Sequence, residues 1–277
     1  MLSAGLAALA IVATVTGCGA VEPLKVAGTV VHQVGAGYAP ARVIDDARRQ
    51  SMLVVPEHPV GALAVYVHGS GQGRRSILDS PRDFGVAHAL ADHGYLVLAA
   101  DAGGKAWGNA ASIADYTALI ETTVRHYRIR DVFLMAESMG GLATMQLARR
   151  VPRVRAVTAW YPVCDLRTMA KLPRFAHAIA AAWAGTDRSV VSPVSVPRVP
   201  MTIWASPKDT VVSSARNAAY CAAAGEAAGG TVDYVHTVGE HGDPSNFRPE
   251  AVLHFFEQHR TAPLTASVES PSKAGRA

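Results

Sequence analysis

Short apolar runs alternate along this chain with longer amphipathic stretches, from about residue 50 to residue 260. The apolar runs are typical of buried strands, and the stretches between them are long enough for helices. We predict strands at Gln50–Val55, Ala62–Val67, Tyr95–Ala100, Val132–Met135, Val154–Tyr161, Pro200–Ala205 and Thr231–Val238, with a further candidate at Ala27–Val34. We predict helices at Phe84–His93, Ala111–Tyr127, Gly141–Arg150, Asp165–Gly185, Ser213–Ala228 and Glu250–Arg260. This order predicts an α/β fold with a mostly parallel twisted sheet and helices on both faces.

The alternating region contains no internal repeat and no boundary that would divide it into two domains. We therefore interpret residues 41–260 as one domain and residues 19–40 as a linker or edge segment. The segment from about 164 to 199 ends in a Pro- and Ser-rich loop and leaves room for a small cap at most. Residues 261–277 contain mainly Ala, Ser, Pro and charged residues, which favours a disordered tail.

One strand leads directly into a serine. The run Val132–Met135 is followed by Ala136-Glu137-Ser138-Met139-Gly140, and good helix formers follow from Gly141. A turn this tight between strand and helix needs very small residues two positions before and two positions after its tip, and Ala136 and Gly140 meet that need. The turn would place the Ser138 hydroxyl at a helix N-terminus, where free N–H groups favour developing negative charge.

This arrangement resembles the nucleophile elbow of the serine α/β-hydrolases, G-x-S-x-G, with Ala136 in place of the first glycine. With three further matches given below, the resemblance covers roughly Ser51–Arg260. It implies the α/β-hydrolase fold, with Ser138 as the nucleophile.

A nucleophilic serine needs a base to take its proton and a third group to hold that base. The resemblance implies that the acid and then the histidine follow Ser138 along the chain. The histidines after Ser138 are His177, His236, His241, His254 and His259. Only His241 follows a predicted strand in a loop with glycines on both sides, whereas His236 lies within that strand and the others in helices. We expect His241 to be the base.

Asp209 follows the predicted strand ending at Ala205, and its Asp-x-Val pattern resembles the acid loop of the same family. We expect Asp209 to be the acid, with Asp165, just past the preceding strand, as the alternative. Glu240 and Asp243 lie close to His241 on the same loop. Side chains of such close neighbours rarely face each other, so neither residue is expected to hold the histidine. Asp101 precedes the serine and is interpreted as a structural loop carboxylate.

The loop His68-Gly69-Ser70-Gly71 resembles the His-Gly-x oxyanion loop of the family. The resemblance implies the backbone N–H of Ser70 as one oxyanion donor, with Gly71 as the fallback, and the N–H of Met139 as the other. The glycines could also suggest a phosphate-binding loop. That alternative lacks a following Gly-Lys-Ser/Thr, and Arg74 breaks the G-x-G-x-x-G pattern.

The first 18 residues predict export. Residues 2–17 form an apolar run of the kind found in secretory signal peptides, somewhat short for a membrane-spanning helix. Val15-Thr16-Gly17-Cys18 resembles the lipobox of bacterial lipoproteins, which implies lipid attachment at Cys18. We expect a protein anchored by lipid to the outer face of the bacterial cytoplasmic membrane or cell envelope. No Lys or Arg precedes the run, so a cleaved soluble signal and a cytoplasmic protein remain alternatives.

Two further cysteines, Cys164 and Cys221, are 57 positions apart. An exported protein can pair them in a disulfide. We expect instead two small, separately buried residues.

The charge and composition of the chain limit the classes of molecule that it is expected to bind. The net charge is +4 with a pI near 9.1, and no basic stripe is interleaved with aromatics, so nucleic acid is excluded as a partner. The expected reaction is hydrolysis of a small-molecule or lipid ester through an acyl-enzyme, and it requires neither a metal nor an organic cofactor. Trp107, Trp183 and Phe175 either line an acyl pocket or belong to the core.

Three other functions stay open on the sequence. A serine peptidase and an envelope acyltransferase would use the same machinery as an esterase. A non-catalytic binding lipoprotein could retain the fold, although such proteins usually lose the serine or the histidine.

Overall fold

A computed structural model describes residues 41–261 of the chain and, before them, the strand Thr29–Val30. The predicted signal segment 1–18 with Cys18, most of the predicted linker and the predicted tail beyond residue 261 lie outside the described residues.

The described residues form one nine-stranded sheet. Its strands are β1 (Thr29–Val30), β2 (Ala41–Asp46), β3 (Ser51–Pro56), β4 (Ala62–Val67), β5 (Leu96–Ala100), β6 (Asp131–Glu137), β7 (Val154–Trp160), β8 (Met201–Ala205) and β9 (Val232–His236). Their order across the sheet is β1-β2-β3-β5-β4-β6-β7-β8-β9. Pairing is antiparallel from β1 to β5 and parallel from β5 to β9. The predicted mostly parallel sheet is confirmed.

The described part of the chain also contains eight α-helices, seven of them between strands and the last after β9. They are α1 (Ser76–Asp79), α2 (Pro81–Asp92), α3 (Ala110–Tyr127), α4 (Gly140–Arg150), α5 (Leu166–Ala170), α6 (Pro173–Ala182), α7 (Ala218–Ala227) and α8 (Pro249–Gln258). Within the part of the chain that the structure describes, no helix is both long enough and apolar enough to cross a membrane.

Two hydrophobic layers lie on opposite faces of the sheet. Alternate residues of β4 divide between them: Leu63 and Val65 join the layer of α3 and α4, whereas Ala64 and Tyr66 join the layer of α2 and α8. Since both faces are covered, the inner strands β4, β5 and β6 are buried along their whole length. Strands β4 and β5 are wholly hydrophobic, and β6 is apolar except for a carboxylate at each end. The prediction of helices on both faces is confirmed.

The parallel strands end in line with one another. Across the sheet, neighbours in register are Val67 and Ala136, Glu137 and Trp160, Trp160 and Trp204, and Ala205 and His236. The loops that follow β4, β6, β8 and β9 therefore meet at one edge, where ligands bind in open parallel sheets.

Residues 164–199, the segment with room for a small cap, are called the cap segment below, and they differ from the prediction in one respect. A single helix was expected over Asp165–Gly185, but the structure has two, α5 and α6, separated near Leu172. Pro173 is the first residue of α6, and proline disfavours a helical conformation in the residue before it, so α5 cannot continue. Strand β2 was not predicted, because its sequence Ala-Arg-Val-Ile-Asp-Asp shows no apolar run or sustained alternation.

Cys164 and Cys221 form a disulfide, with their Cα atoms 6.0 Å apart. The expectation of two separate buried residues was wrong. Cys164 lies just beyond β7, at the start of the cap segment, and Cys221 lies in α7. The bond therefore joins the cap segment to a helix that follows β8, a proximity that sequence separation does not reveal.

Candidate active site

Ser138 occupies the tip of the turn between β6 and α4. Its φ is +50°, a left-handed conformation that non-glycine residues rarely adopt. Its backbone N–H donates to the Trp160 carbonyl at 3.0 Å, and its carbonyl accepts from the N–H groups of Gly141 at 3.0 Å and Val163 at 2.7 Å. These three bonds, together with a buried environment, fix the strained turn in place.

The small residues beside the serine are needed for close packing. A Cβ on Gly140 would come within 2.0 Å of the Val67 carbonyl oxygen in β4, and one on Gly141 within 2.7 Å of the Val163 carbonyl oxygen. Ala136, two positions before Ser138, is fully buried, so a methyl group is accommodated on that side of the turn. Glycine is therefore needed at positions 140 and 141, where two main-chain segments come close together. At position 136 there is space for a methyl group, and alanine fits.

The structure brings Ser138, His241 and Asp209 into one hydrogen-bonded chain. His241 Nε2 lies 3.1 Å from Ser138 Oγ, and His241 Nδ1 lies 2.7 Å from Asp209 Oδ2. The Asp209 side chain is 2% exposed and that of His241 is 19% exposed. The three residues come from the loops after β6, β8 and β9, at the edge where these strands end.

Asp209 is held so that one oxygen faces the histidine. Its Oδ1 accepts hydrogen bonds from the backbone N–H groups of Val211 and Val212, each at 2.8 Å. Its Oδ2 then accepts the Nδ1–H of His241. This fixes the imidazole tautomer in which Nε2 carries the free lone pair that faces the serine. Such an arrangement can remove a proton from the Ser138 hydroxyl.

The two segments that carry the predicted oxyanion donors both lie next to Ser138. Met139 follows it directly, and the loop carrying Ser70 passes so close that a Cβ on Gly69 would lie 3.4 Å from Ser138 Cβ. Gln72 forms two hydrogen bonds across this loop, both with Gly69. The Gln72 side-chain oxygen accepts the Gly69 N–H at 2.5 Å, and the backbone N–H of Gln72 donates to the Gly69 carbonyl at 3.2 Å. Ser70 is thereby held inside a closed turn.

The other candidate residues lie elsewhere or have other partners. His177, His236 and His254 are exposed. Asp165 begins α5 and forms a salt bridge with Arg167, and Asp101 pairs with Arg74. Asp209, and not the alternative Asp165, is the carboxylate that reaches His241.

Of the three aromatic residues considered for an acyl pocket, two are buried in the core and one is partly exposed. Trp107 and Trp183 are 1% and 6% exposed and belong to the core, where the Trp183 indole N–H donates to the Trp107 carbonyl at 3.2 Å. Phe175 of α6 is half-buried and meets the Trp107 ring edge-on, with ring centroids 5.3 Å apart. Phe175 alone among the three stays available to a ligand.

Sequence reasoning missed a buried polar cluster centred on Glu137, the residue immediately before Ser138. Its side chain is 4% exposed. Glu137 Oε2 accepts from the Tyr66 hydroxyl at 2.6 Å and from Gln72 Nε2 at 2.8 Å. Glu137 Oε1 accepts from Arg82 Nη2 at 2.6 Å and from the Tyr161 hydroxyl at 2.8 Å. We call these five residues the Glu137 network.

The environment keeps the donors of this network protonated. Burial raises the pKa of Tyr66 and of Tyr161 well above the usual value, and the adjacent Glu137 carboxylate raises each further. Burial lowers the pKa of Arg82, but Glu137 and other nearby groups outweigh it and leave that pKa raised. The sequence gives one signal for this network: Glu137 directly precedes Ser138, at the end of a strand that is expected to be buried.

A second buried carboxylate, Asp83, borders the network. Its Oδ1 lies 3.6 Å from Arg82 Nε. Burial raises the pKa of Asp83 to about 7, with repulsion from Glu137 as the next cause. One arginine therefore faces two carboxyl groups, and Glu137 has the closer contact with it.

Comparisons with known proteins agree with this architecture. A family model described as serine aminopeptidase, S33, matches residues 65–187, somewhat less than half of the chain. An esterase from Pyrococcus furiosus superposes with a TM-score of 0.58 at 16% identity, covering 80% of this chain and 88% of its own. A truncated carbohydrate esterase from gut microbiota gives a TM-score of 0.59 at 15% identity, covering 76% and 90%.

Acylaminoacyl peptidase from Pyrococcus horikoshii also superposes, with a TM-score of 0.59 at 14% identity. The match covers 76% of this chain but only 39% of the peptidase, so the chain spans about two fifths of that protein's length. No curated protein sequence matches the chain. The strand order and these superpositions show an α/β-hydrolase fold.

Proposed function

We propose that this protein is a serine hydrolase that cleaves carboxylic esters through an acyl-enzyme intermediate. The observation that carries the proposal is the continuous hydrogen-bonded chain from Ser138 through His241 to Asp209. Three loops from distant parts of the sequence converge to form it, which an incidental serine on a turn would not require. The family match and the esterase superpositions are consistent with it.

In the proposed reaction, Ser138 Oγ attacks the ester carbonyl while His241 Nε2 takes its proton. Asp209 keeps the imidazole oriented and stabilises its charged form. The N–H groups of Ser70 and Met139 stabilise the oxyanion of the tetrahedral intermediate. His241 then gives its proton to the departing alcohol. In the second half, His241 takes a proton from a water molecule, whose oxygen attacks the acyl carbonyl. His241 then returns this proton to Ser138 Oγ as the acyl–oxygen bond breaks, which releases the acid and regenerates free Ser138.

An activity-based fluorophosphonate probe tests the nucleophile. We expect the probe to label the wild-type protein and to leave Ser138→Ala unlabelled, because the alanine has no oxygen to attack phosphorus. Ser189→Ala, which removes an exposed cap serine, is the matched control and should label like wild type. Equal labelling of wild type and Ser138→Ala would overturn the assignment. A series of p-nitrophenyl esters of increasing chain length would then define the acyl preference.

A peptidase is the second candidate, and the family description favours it. Amides and esters of the same acyl group separate the two functions. We expect the p-nitrophenyl ester of N-acetylalanine to be cleaved at least 1,000 times faster per mole of enzyme than the corresponding p-nitroanilide, roughly a 4 kcal/mol difference in barrier. Hydrolysis of the p-nitroanilide well above the background of Ser138→Ala would favour the peptidase.

We further propose that the protein is exported and anchored by lipid at Cys18. The apolar run at residues 2–17 and the lipobox-like Val15–Cys18 support this, as does the disulfide, since disulfides persist mainly in oxidising compartments. Cys18→Ala should abolish metabolic labelling with a palmitate analogue and release the protein from membranes. Thr14→Ala, outside the lipobox-like residues, should change neither. Labelling of Cys18→Ala at the wild-type level would contradict lipid attachment at this cysteine.

A further inference from the structure

The Glu137 network connects the two loops that must be placed correctly around Ser138. On one side, Gln72 donates to Glu137 through Nε2 and accepts the Gly69 N–H through Oε1. Gly69 directly precedes Ser70, the proposed oxyanion donor. The carboxylate therefore determines where the oxyanion loop lies relative to the turn that carries the nucleophile.

On the other side, the network reaches the histidine loop. Arg82 donates to Glu137 through Nη2 and to the carbonyl of Gly242 through Nη1. Gly242 directly follows His241. Tyr161 also donates to Glu137, and its ring packs against the His241 ring with centroids 4.3 Å apart. Glu137 thus holds the histidine loop in two ways. Arg82 links it to the backbone at Gly242, and Tyr161 links it to the imidazole ring of His241.

We propose that Glu137 is a positioning residue, whose buried carboxylate sets both the oxyanion loop and His241 relative to Ser138. This inference rests on the proposed function. Glu137 itself lies on β6 beside the nucleophile, so the same strand supplies the serine and the anchor for its two partners. The cost of burying the charge is offset by four hydrogen bonds, one of them from an arginine.

The carboxylate suits this place because all four of its partners donate to it in the structure, and Arg82 among them has no acceptor atom. Each oxygen accepts two hydrogen bonds, one pair from Tyr66 and Gln72 and the other from Arg82 and Tyr161. A glutamine at this position has one oxygen and one NH2 group, and the NH2 group is a donor only. Glu137→Gln can therefore keep the present hydrogen bonds of the oxyanion side or of the histidine side, but not both, and the other side has to rearrange.

Glu137→Gln has a matched control in the same strand. Asp131, at the other end of β6 and about 20 Å away, is also a buried carboxylate, with a side chain that is 1% exposed. It accepts from Arg155 Nε at 2.8 Å and from the Thr261 hydroxyl at 2.6 Å. Asp131→Asn therefore removes another buried carboxylate that is paired with an arginine, without touching either loop at the site.

Steady-state hydrolysis of p-nitrophenyl acetate tests the proposal. We expect Glu137→Gln to lower kcat about 10- to 100-fold with KM changed less than threefold, because the loops are displaced around the reacting atoms. Asp131→Asn should keep the wild-type kcat even where its Tm falls. Gln72→Ala should lower kcat by itself, and the double variant Glu137→Gln/Gln72→Ala should be little worse than the poorer single variant, because both act through the same contact.

The outcomes separate this inference from the proposed function. If Ser138→Ala is inactive while Glu137→Gln keeps the wild-type kcat, the positioning role is wrong and the proposed function stands. If Glu137→Gln and Asp131→Asn lower Tm alike and leave kcat alike, Glu137 is only a stabilising residue. If Ser138→Ala keeps full turnover, both proposals fall together. Should Glu137→Gln fail to fold, Gln72→Ala decides, since Gln72 is only half-buried: a wild-type kcat in that variant would overturn the proposal.

Discussion

Gly140 shows how one missing side chain determines the position of the serine turn. A Cβ there would lie 2.0 Å from the carbonyl oxygen and 2.8 Å from the carbonyl carbon of Val67, main-chain atoms of a central strand that cannot move aside. Strand β4 continues into the loop that carries Ser70. A larger residue at position 140 would therefore move Ser138 away from the loop that carries Ser70 and strain the centre of the sheet.

Gly140→Ala should accordingly destabilise the protein by about 2–3 kcal/mol, as overpacking against fixed backbone does. Its matched control is Gly85→Ala in α2, where a new Cβ would lie 3.5 Å from Pro249, an ordinary contact. That substitution should be neutral or stabilise by up to about 1 kcal/mol, because alanine favours helix over glycine. Urea unfolding of both variants measures the difference, and equal stability of the two would show that β4 can yield.

Asp83 makes stability depend on pH. Because its pKa rises from 3.8 to about 7 on folding, the folded chain holds a proton that the unfolded chain releases near pH 4. The contribution of this group to stability is therefore fully present below pH 4 and decreases as the pH rises toward 7. In Asp83→Asn the side chain is neutral at every pH, so the stability of this variant does not show the decrease between pH 4 and pH 7.

The free energy of unfolding of Asp83→Asn relative to wild type should consequently rise between pH 5 and pH 8, by on the order of 2 kcal/mol. Denaturant unfolding at a series of pH values measures it. Asp79→Asn removes an exposed carboxylate of α1 paired with Arg75 and should show little change over the same range. A flat difference for Asp83→Asn would mean that Asp83 is ionised in the folded protein at pH 5.

At the scale of elements, the cap segment is tied to the rest of the fold at its base. The disulfide joins Cys164 to α7, and the side-chain oxygen of Asn217, just before α7, accepts the N–H groups of Cys164 and Asp165. Both contacts join the segment that begins the cap to the segment that follows the Asp209 loop. The disulfide closes a loop of 57 residues, and that loop contains the whole cap.

Removing the disulfide should lower the free energy of unfolding by about 3–4 kcal/mol, mainly because the unfolded chain gains freedom. We expect a reducing agent to lower the Tm of the wild-type protein and to leave that of Cys164→Ala/Cys221→Ala unchanged. A Tm of the wild type that does not respond to a reductant able to open the bond would contradict a stabilising role for it.

At the scale of the whole molecule, the sequence predicted what depends on periodicity and chain order. The strands were recognised because buried parallel strands contain runs of apolar residues. Ser138, Asp209 and His241 were predicted to lie together because loops after parallel strands meet at one edge. The Glu137 network could not be predicted in this way, since Tyr66, Arg82 and Tyr161 reach it from three different elements. Strand β2 and the disulfide likewise depend on tertiary pairing that leaves no local pattern.

The disulfide has a consequence for proteolysis. The cap loop around Arg188 is exposed, and a single cut there by a protease such as trypsin would divide the chain between Ser138 on one fragment and Asp209 and His241 on the other. Cys164 and Cys221 lie on opposite sides of that cut, and β7 and β8, also on opposite sides, pair in the sheet. The two fragments would therefore stay covalently joined and run as one species until a reductant separates them.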